Sequence, residues 1–148
     1  MKVNTKVRYG LRAMLQIAAE YGGEPVPISA IAESQEISGK YLEQVVGTLR
    51  RNDLIGSRKG VRGGYFLCRP PSEITLWEII AALDPHTALV DCVIDPSCCD
   101  RSEACLTRDI WTLLSDRMQD FWSSFTLQDL TEKLMGKSYK AKDVSTPS

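Results

Sequence analysis

Four of the chain's five cysteines, Cys92, Cys98, Cys99 and Cys105, fall in the stretch DCVIDPSCCDRSEACLTRD, residues 91–109. Thiolates are soft ligands that select zinc or iron–sulfur clusters, and exposed thiols also undergo redox exchange. The usual zinc spacing, two cysteines separated by two to four residues, is absent, which disfavours zinc. No Cys-x-x-Cys and no βαβ pattern accompany the adjacent Cys98 and Cys99, so a thiol-redox enzyme is a distant alternative and the chain is not expected to be an enzyme. The N-terminal MKVNTKVRYG lacks the apolar core of a signal peptide, and nothing approaches the roughly 20 apolar residues of a membrane span. A cytoplasmic protein is expected, with no membrane partner and no disulfide framework.

A second set of residues has the chemistry of polyanion binding. Residues 1–69 carry eleven Lys/Arg against six Asp/Glu, whereas residues 70–148 carry seven against thirteen. Such asymmetry places a polyanion on the first half, with scattered surface charge as the bland alternative. Lys40, Tyr41, Glu43, Gln44, Thr48 and Arg51 share the expected outer face of one helix, types that reach phosphates and base edges in a major groove. Arg58, Lys59 and Arg62 crowd a turn containing Gly60, Gly63 and Gly64.

These side chains need elements to hold them. Apolar steps at Val7, Leu11, Met14, Leu15 and Ala18 predict an amphipathic helix from Thr5 to Tyr21, ended by Gly22 and Gly23. Ser29 is expected to cap a short helix over Ala30 to Ser34. Ser38 is expected to cap another over Gly39 to Arg51, with Leu42, Val45, Val46 and Leu49 facing inward. Short helix, turn and polar-faced helix read as a helix-turn-helix. The segment 54–68 then reads as two strands around the glycine-rich turn, a basic wing able to enter a minor groove, with Cys68 expected as a small core residue. A plain hairpin whose charges keep its edge soluble is the competing explanation. Thr75 and Glu78 have capping-box spacing for a helix stopped at Asp84-Pro85. After the cysteine loop, Leu106, Ile110, Leu113, Leu114, Met118, Phe121, Trp122 and Phe125 predict one long helix from about Ser102 to Phe125, with Trp111 off the stripe. Its apolar surplus argues for a partner subunit, with burial against the first helix as the alternative. Thr126 is expected to cap a last helix with Leu127, Leu130 and Leu134.

Tyr9-Gly-Leu-Arg-Ala, Ile37-Ser-Gly-Lys-Tyr-Leu-Glu-Gln, Leu49-Arg-Arg-Asn-Asp-Leu-Ile and Gly60-Val-Arg-Gly-Gly-Tyr, in that order before a cysteine loop and a long helix, resemble the Rrf2 family of bacterial winged-helix regulators. The likeness runs from residue 1 to about residue 135. It implies a mainly α fold: a winged helix-turn-helix head over 1–71, a connecting helix over 72–90, a cysteine loop over 91–105, dimerisation helices over 102–135 and a disordered tail over 136–148. It implies a homodimer on a palindromic double-stranded DNA operator, regulating transcription. Carried over by position, DNA contacts fall on Ser38, Lys40, Tyr41, Gln44 and Arg50, with Arg58 and Arg62 on the wing. Glu43 faces the groove by helix geometry and is either a specificity residue or simply solvated.

In cluster-binding relatives three cysteines of this loop hold an iron–sulfur cluster, 2Fe-2S ahead of 4Fe-4S here, which would make the chain a redox or iron sensor. The resemblance gives Cys92, then Cys98 or Cys99, then Cys105 as ligands, with zinc as an alternative occupant. Where some members supply a histidine after Cys105-Leu-Thr, this chain has Arg108. Where others take an acidic ligand from the start of the partner subunit's first helix, this chain has Arg8. The fourth ligand stays open among the second of the adjacent thiols and Asp91, Asp95, Asp100 and Glu103. His86 is expected as a surface loop residue. A cluster-free repressor controlled by cysteine oxidation or a protein partner is the rival within the same fold.

Overall fold

A computed structural model describes residues 2–134; the tail expected over 136–148 lies outside the described residues. Asn4 opens α1 (Thr5–Ala19) by accepting the Val7 N–H at 2.8 Å, which satisfies one of the helix's orphan donors. The helix closes at Ala19, two residues before the expected Tyr21, because the N–H groups of Glu20 and Tyr21 turn back onto the Ile17 and Ala18 carbonyls. Next, α2 (Ile28–Gln35) begins ahead of the expected Ala30, with Pro27 at the cap and Ser29 inside the helix. The fixed φ of Pro27 presets the entry and no side-chain cap is used. As expected, Ser38 Oγ accepts the Tyr41 N–H at 3.2 Å to start α3 (Gly39–Arg51).

The inward face of α3 is Leu42, Val45, Val46 and Leu49, all buried, as the spacing predicts. Thr48 departs from expectation: it is buried, and its hydroxyl donates to the Gln44 carbonyl at 3.0 Å. A threonine that bonds the preceding turn loses its polarity cost and can face inward.

Antiparallel strands β1 (Ile55–Arg58) and β2 (Gly64–Leu67) pair in register from Ile55↔Leu67 to Arg58↔Gly64. On its other side β2 meets Val26, where the Val26 N–H donates to the Tyr65 carbonyl and the Tyr65 N–H to the Val26 carbonyl, each at 2.8 Å. A Cβ on Gly64 would stand 2.4 Å from that Val26 carbonyl, so only glycine lets the wing close against the head. Cys68 is exposed, not a core residue. Side chains alternate along a strand, and Leu67 already takes the inward position, so Cys68 turns out.

Thr75 and Glu78 form the expected capping box at the start of α4 (Leu76–Leu83). Burial pushes the Glu78 carboxyl up, but the Thr75 N–H and the Arg69 guanidinium at 2.6 Å outweigh it and hold it below the ordinary value. The cap therefore stabilises above the ordinary glutamate range and weakens as pH falls through the lowered value. Gly10 lets α1 and α4 touch, since a Cβ there would lie 2.1 Å from Leu83 Cδ1.

The loop that follows contains a single helical turn, α5 (Asp91–Ile94), and two 3₁₀ turns, Pro96–Cys98 and Ser102–Ala104. The long helix α6 (Leu106–Ser123) begins four residues after the expected Ser102, because residues 102–104 form their own turn and Cys105 is extended. Finally α7 (Leu127–Leu134) folds back on α1, with Leu127 fully buried and its N–H on the Ile74 carbonyl. Among the described residues the core is built from α1, α2, α3, α4, both strands and α7, and none of its buried residues comes from α6.

Candidate nucleic-acid interface and cysteine loop

Along α3 the side chains of Lys40, Glu43 and Gln44 are exposed, and Ser38 is exposed at the helix start while serving as its cap. Tyr41 is half-buried, because its ring stands edge-on against Tyr9 at 5.8 Å and 82°. Behind it, the Arg12 guanidinium lies 5.7 Å from the Tyr9 ring centroid. The same guanidinium donates to the Gln35 side-chain oxygen at 2.8 Å and to the Gln35 carbonyl at 2.9 Å. Arg12, Tyr9 and Tyr41 thus tie the end of α2 to the first turn of α3 through α1. Tyr9 and Arg12 stand three residues apart on one face of α1, but the Tyr41 and Gln35 partners that make them a brace come from distant segments.

Arg50 is exposed and donates to Ser57 Oγ at 3.1 Å, so it joins the end of α3 to β1. Arg58 lies 3.7 Å from Glu24 with both side chains more than half exposed, a pairing too solvated to hold it firmly. Arg62 and Lys59 are exposed near the wing tip and form no ion pair among the described residues. A polar helix face, braced from behind, and a free cationic tip are together suited to a phosphate backbone with base edges beside it.

In the second site all four cysteines are free. Cys92 is half-buried on α5, Cys98 and Cys99 are exposed, and Cys105 is half-buried at the N-cap of α6. The Arg108 Nε donates to the Cys92 carbonyl at 2.9 Å, fastening α6 to α5 across the loop. Cys105 Sγ lies 3.1 Å from the Thr107 hydroxyl; that contact, then the Arg108 N–H, draws the thiol below its ordinary value. Cys98 is pushed the other way, by local desolvation first and then by Cys92, Asp95, Asp91 and Cys99. Asp95 is occupied in capping, with the Ser97 hydroxyl at 2.6 Å and the Ser97 N–H at 3.0 Å on one oxygen. His86 is exposed, as expected of a loop residue.

Among the described residues no three cysteine, histidine or carboxylate side chains converge into a cage. The donor set still suits a soft metal centre: four accessible thiols, one of them acidified, on a chain of single turns anchored at both ends.

Beyond the loop, α6 leaves an apolar stripe bare. Leu106 is 81%, Ile110 59%, Leu113 54% and Phe121 44% exposed. Met118 and Trp122 are half-buried, and Trp122 packs on the core, where α6 meets α4. Among the described residues, Leu106, Ile110, Leu113 and Phe121 are therefore not buried against α1, the alternative to a partner subunit.

A family model named Rrf2 and described as an iron-dependent transcriptional regulator matches residues 3–133. The chain is 40% identical over 130 residues to Protein rrf2 of Nitratidesulfovibrio vulgaris, which spans 88% of this chain and 87% of that protein. It is 39% identical over 130 residues to the HTH-type transcriptional regulator IscR of Pectobacterium atrosepticum, spanning 88% and 79%. Among solved structures, it is similar to the B. subtilis global cysteine regulator CymR, with a TM-score of 0.74, 33% identity and 90% and 98% of the two chains covered. T. potens IscR gives a TM-score of 0.75 at 30% identity, covering 95% and 94%. No described helix is long and apolar enough to cross a membrane.

Proposed function

The chain belongs to the Rrf2 family of transcriptional regulators, and we propose that it binds a palindromic operator as a homodimer whose affinity is set by an iron–sulfur cluster in the cysteine loop. The observation that carries this reading is the position of the four free thiols, between the head and the bare helix α6, with Arg108 spanning the gap.

Lys40, Tyr41, Glu43 and Gln44 read the major groove, with Ser38 at the helix start. Arg58 and Arg62 bring the wing to the backbone, and Arg50 fixes its angle through Ser57. Cys92 and Cys105 hold the cluster together with one of Cys98 and Cys99. Arg108 is not a ligand: a guanidinium offers donors and no acceptor, and its Nε is engaged on the Cys92 carbonyl. The fourth ligand comes from Asp91, Asp95, Asp100, Glu103 or the remaining adjacent thiol; Asp95 has one oxygen engaged by Ser97 and the other open. A bound cluster of the 2Fe-2S type supplies a link across the loop that redox state, oxygen and iron supply can make or break. The residues around it convert that link into orientation. Because α6 would carry the two-fold axis and the head carries α3, the loop sets how two recognition helices span successive half-sites about one DNA turn apart.

Protein purified without oxygen from iron-replete cells should be coloured and contain iron and acid-labile sulfide in equal amounts. Colourless, iron-free protein prepared that way sinks the cluster. The exposed, adjacent Cys98 and Cys99 favour one second reading, control by thiol oxidation; colourless protein that loses DNA binding reversibly on mild oxidation would establish it.

DNA contact has its own test on an operator selected from random duplexes. Tyr41→Ala removes a groove-facing hydroxyl and the Tyr9 brace, and should weaken binding by about 1–3 kcal/mol. Arg62→Ala should weaken binding to all sequences alike and reduce the slope of log affinity against log salt by about 1. Fluorescence anisotropy across a salt series reads both, and unchanged affinity in the two variants refutes the assignment of helix and wing.

A further inference from the structure

A cavity of about 500 Å³ opens between the start of α1, the end of α4, the residues leading into the cysteine loop and the body-facing side of α6. Its size is that of sites for drug-sized ligands. The apolar wall is Val7 and Leu11 from α1, Trp77 and Ile80 from α4, and Met118 and Trp122 from α6. The polar wall is spare. Ser115 borders the cavity, but its hydroxyl oxygen is buried away from the open space. Among the described residues that line it, Asp84 and Asp116 add two carboxylates and Lys2 one amine. Asp84 is pinned in place by the Asn4 side-chain amide at 2.8 Å and the His86 N–H at 3.1 Å. Asp116 and Lys2 form no ion pair among the described residues.

We infer that this cavity is a second ligand site, bordered by Val93 and Ile94 of the cysteine loop but lined by none of its thiols, for a small amphipathic organic cation. An aromatic or branched apolar body would lie between Trp77 and Trp122, whose ring faces also attract a cation. Its protonated amine would meet Asp116 and Asp84. Two carboxylates on the α4 and α6 walls favour a cation there over an organic anion, and two tryptophans on opposing helices argue against a purely hydrated cleft. The site has a consequence for regulation. Its walls belong to the head on one side and to α6 on the other, and Val93, next to Cys92, closes one edge. Occupancy would therefore fix the angle between head and α6 from a place the thiols do not reach.

Phenethylamine is a suitable probe, with 2-phenylethanol and 3-phenylpropionate as neutral and anionic controls. Nuclear magnetic resonance titration of the full chain should show the indole N–H signals of Trp77 and Trp122 shifting saturably, with a Kd on the order of 1 mM or tighter for so small a cation. Trp111, outside the cavity, should stay still. The anion should bind at least about ten-fold more weakly. Asp116→Asn, at an exposed position that leaves the fold intact, should weaken the amine about five-fold or more. Met118→Trp, which fills the cavity, should abolish binding. Absence of saturable shifts up to ~10 mM, equal binding of amine and carboxylate, or wild-type binding by both variants overturns the proposal. The titration needs neither DNA nor cluster, so its failure leaves the regulator reading untouched.

Discussion

Replacing Ile110 and Leu113 together by glutamate should convert the protein to a folded monomer and lower its operator affinity by about 10²–10⁴-fold, the range by which joined binding modules exceed a single one. Both side chains stand more than half exposed on α6, one turn apart, between the bare Leu106 and Phe121. No residue of α6 is buried within the protomer, so two carboxylates on its outer face leave the core of the head alone. In an interface each replaced side chain forfeits roughly 1.5–3 kcal/mol of apolar burial and adds a charge that must be desolvated. A head freed from its partner still touches one half-site, so binding falls to the weak single-site level. Light scattering after size exclusion gives the mass, anisotropy gives the affinity and a circular-dichroism melt verifies the fold. A variant that stays dimeric, or a monomer that binds like the parent, removes α6 as the dimer surface.

The helices of the head were legible because their signals are local. Ser38 and the Thr75–Glu78 box cap helices where their spacing predicts, and Leu42, Val45, Val46 and Leu49 define the inward face of α3. Errors arose where a residue's role is set by something distant or by a competing local bond. Thr48 looks polar, but its own turn satisfies the hydroxyl and lets it turn in. Cys68 has the chemistry of a core residue but follows the inward-facing Leu67 at the end of β2 and so turns out. Pro27, not Ser29, sets the start of α2, because a fixed φ does the work of a side-chain cap.

Contacts between distant segments left no trace in any window of sequence. Asn4 reaches Asp84, Val26 pairs with Tyr65, and Arg12 holds the carbonyl of Gln35. The DNA-facing residues were therefore legible as types on one helix face, whereas the Arg12–Tyr9 brace that fixes Tyr41 was not. The cysteine loop shows the same division. Four thiols and their spacing are visible in the chain, but the Arg108 tether to Cys92 depends on the folded path between them.

That tether gives the cysteine substitutions unequal expected effects. Cys92→Ser and Cys105→Ser should each abolish the cluster, leaving iron at background after anaerobic purification. Both thiols stand on regular elements, α5 and the N-cap of α6, and Arg108 holds those elements together. A hydroxyl is a harder and far less acidic donor than a thiol, so each change should exceed the about 10–100-fold loss of metal affinity typical of supporting residues. Cys98 and Cys99 lie on neighbouring Cα atoms about 3.8 Å apart, too close for both to reach one small cluster comfortably. Of Cys98→Ser and Cys99→Ser, one should empty the site and the other should leave iron and sulfide nearly unchanged. Arg108→Ala should fall between, retaining a cluster that is lost faster to chelator, because it removes a support and not a ligand. Iron and sulfide assays on the five variants, with circular dichroism to establish folding, give the ranking. Full iron content in Cys92→Ser and Cys105→Ser would rule out the loop as the cluster site, and equal loss from Cys98→Ser and Cys99→Ser would make both adjacent thiols ligands.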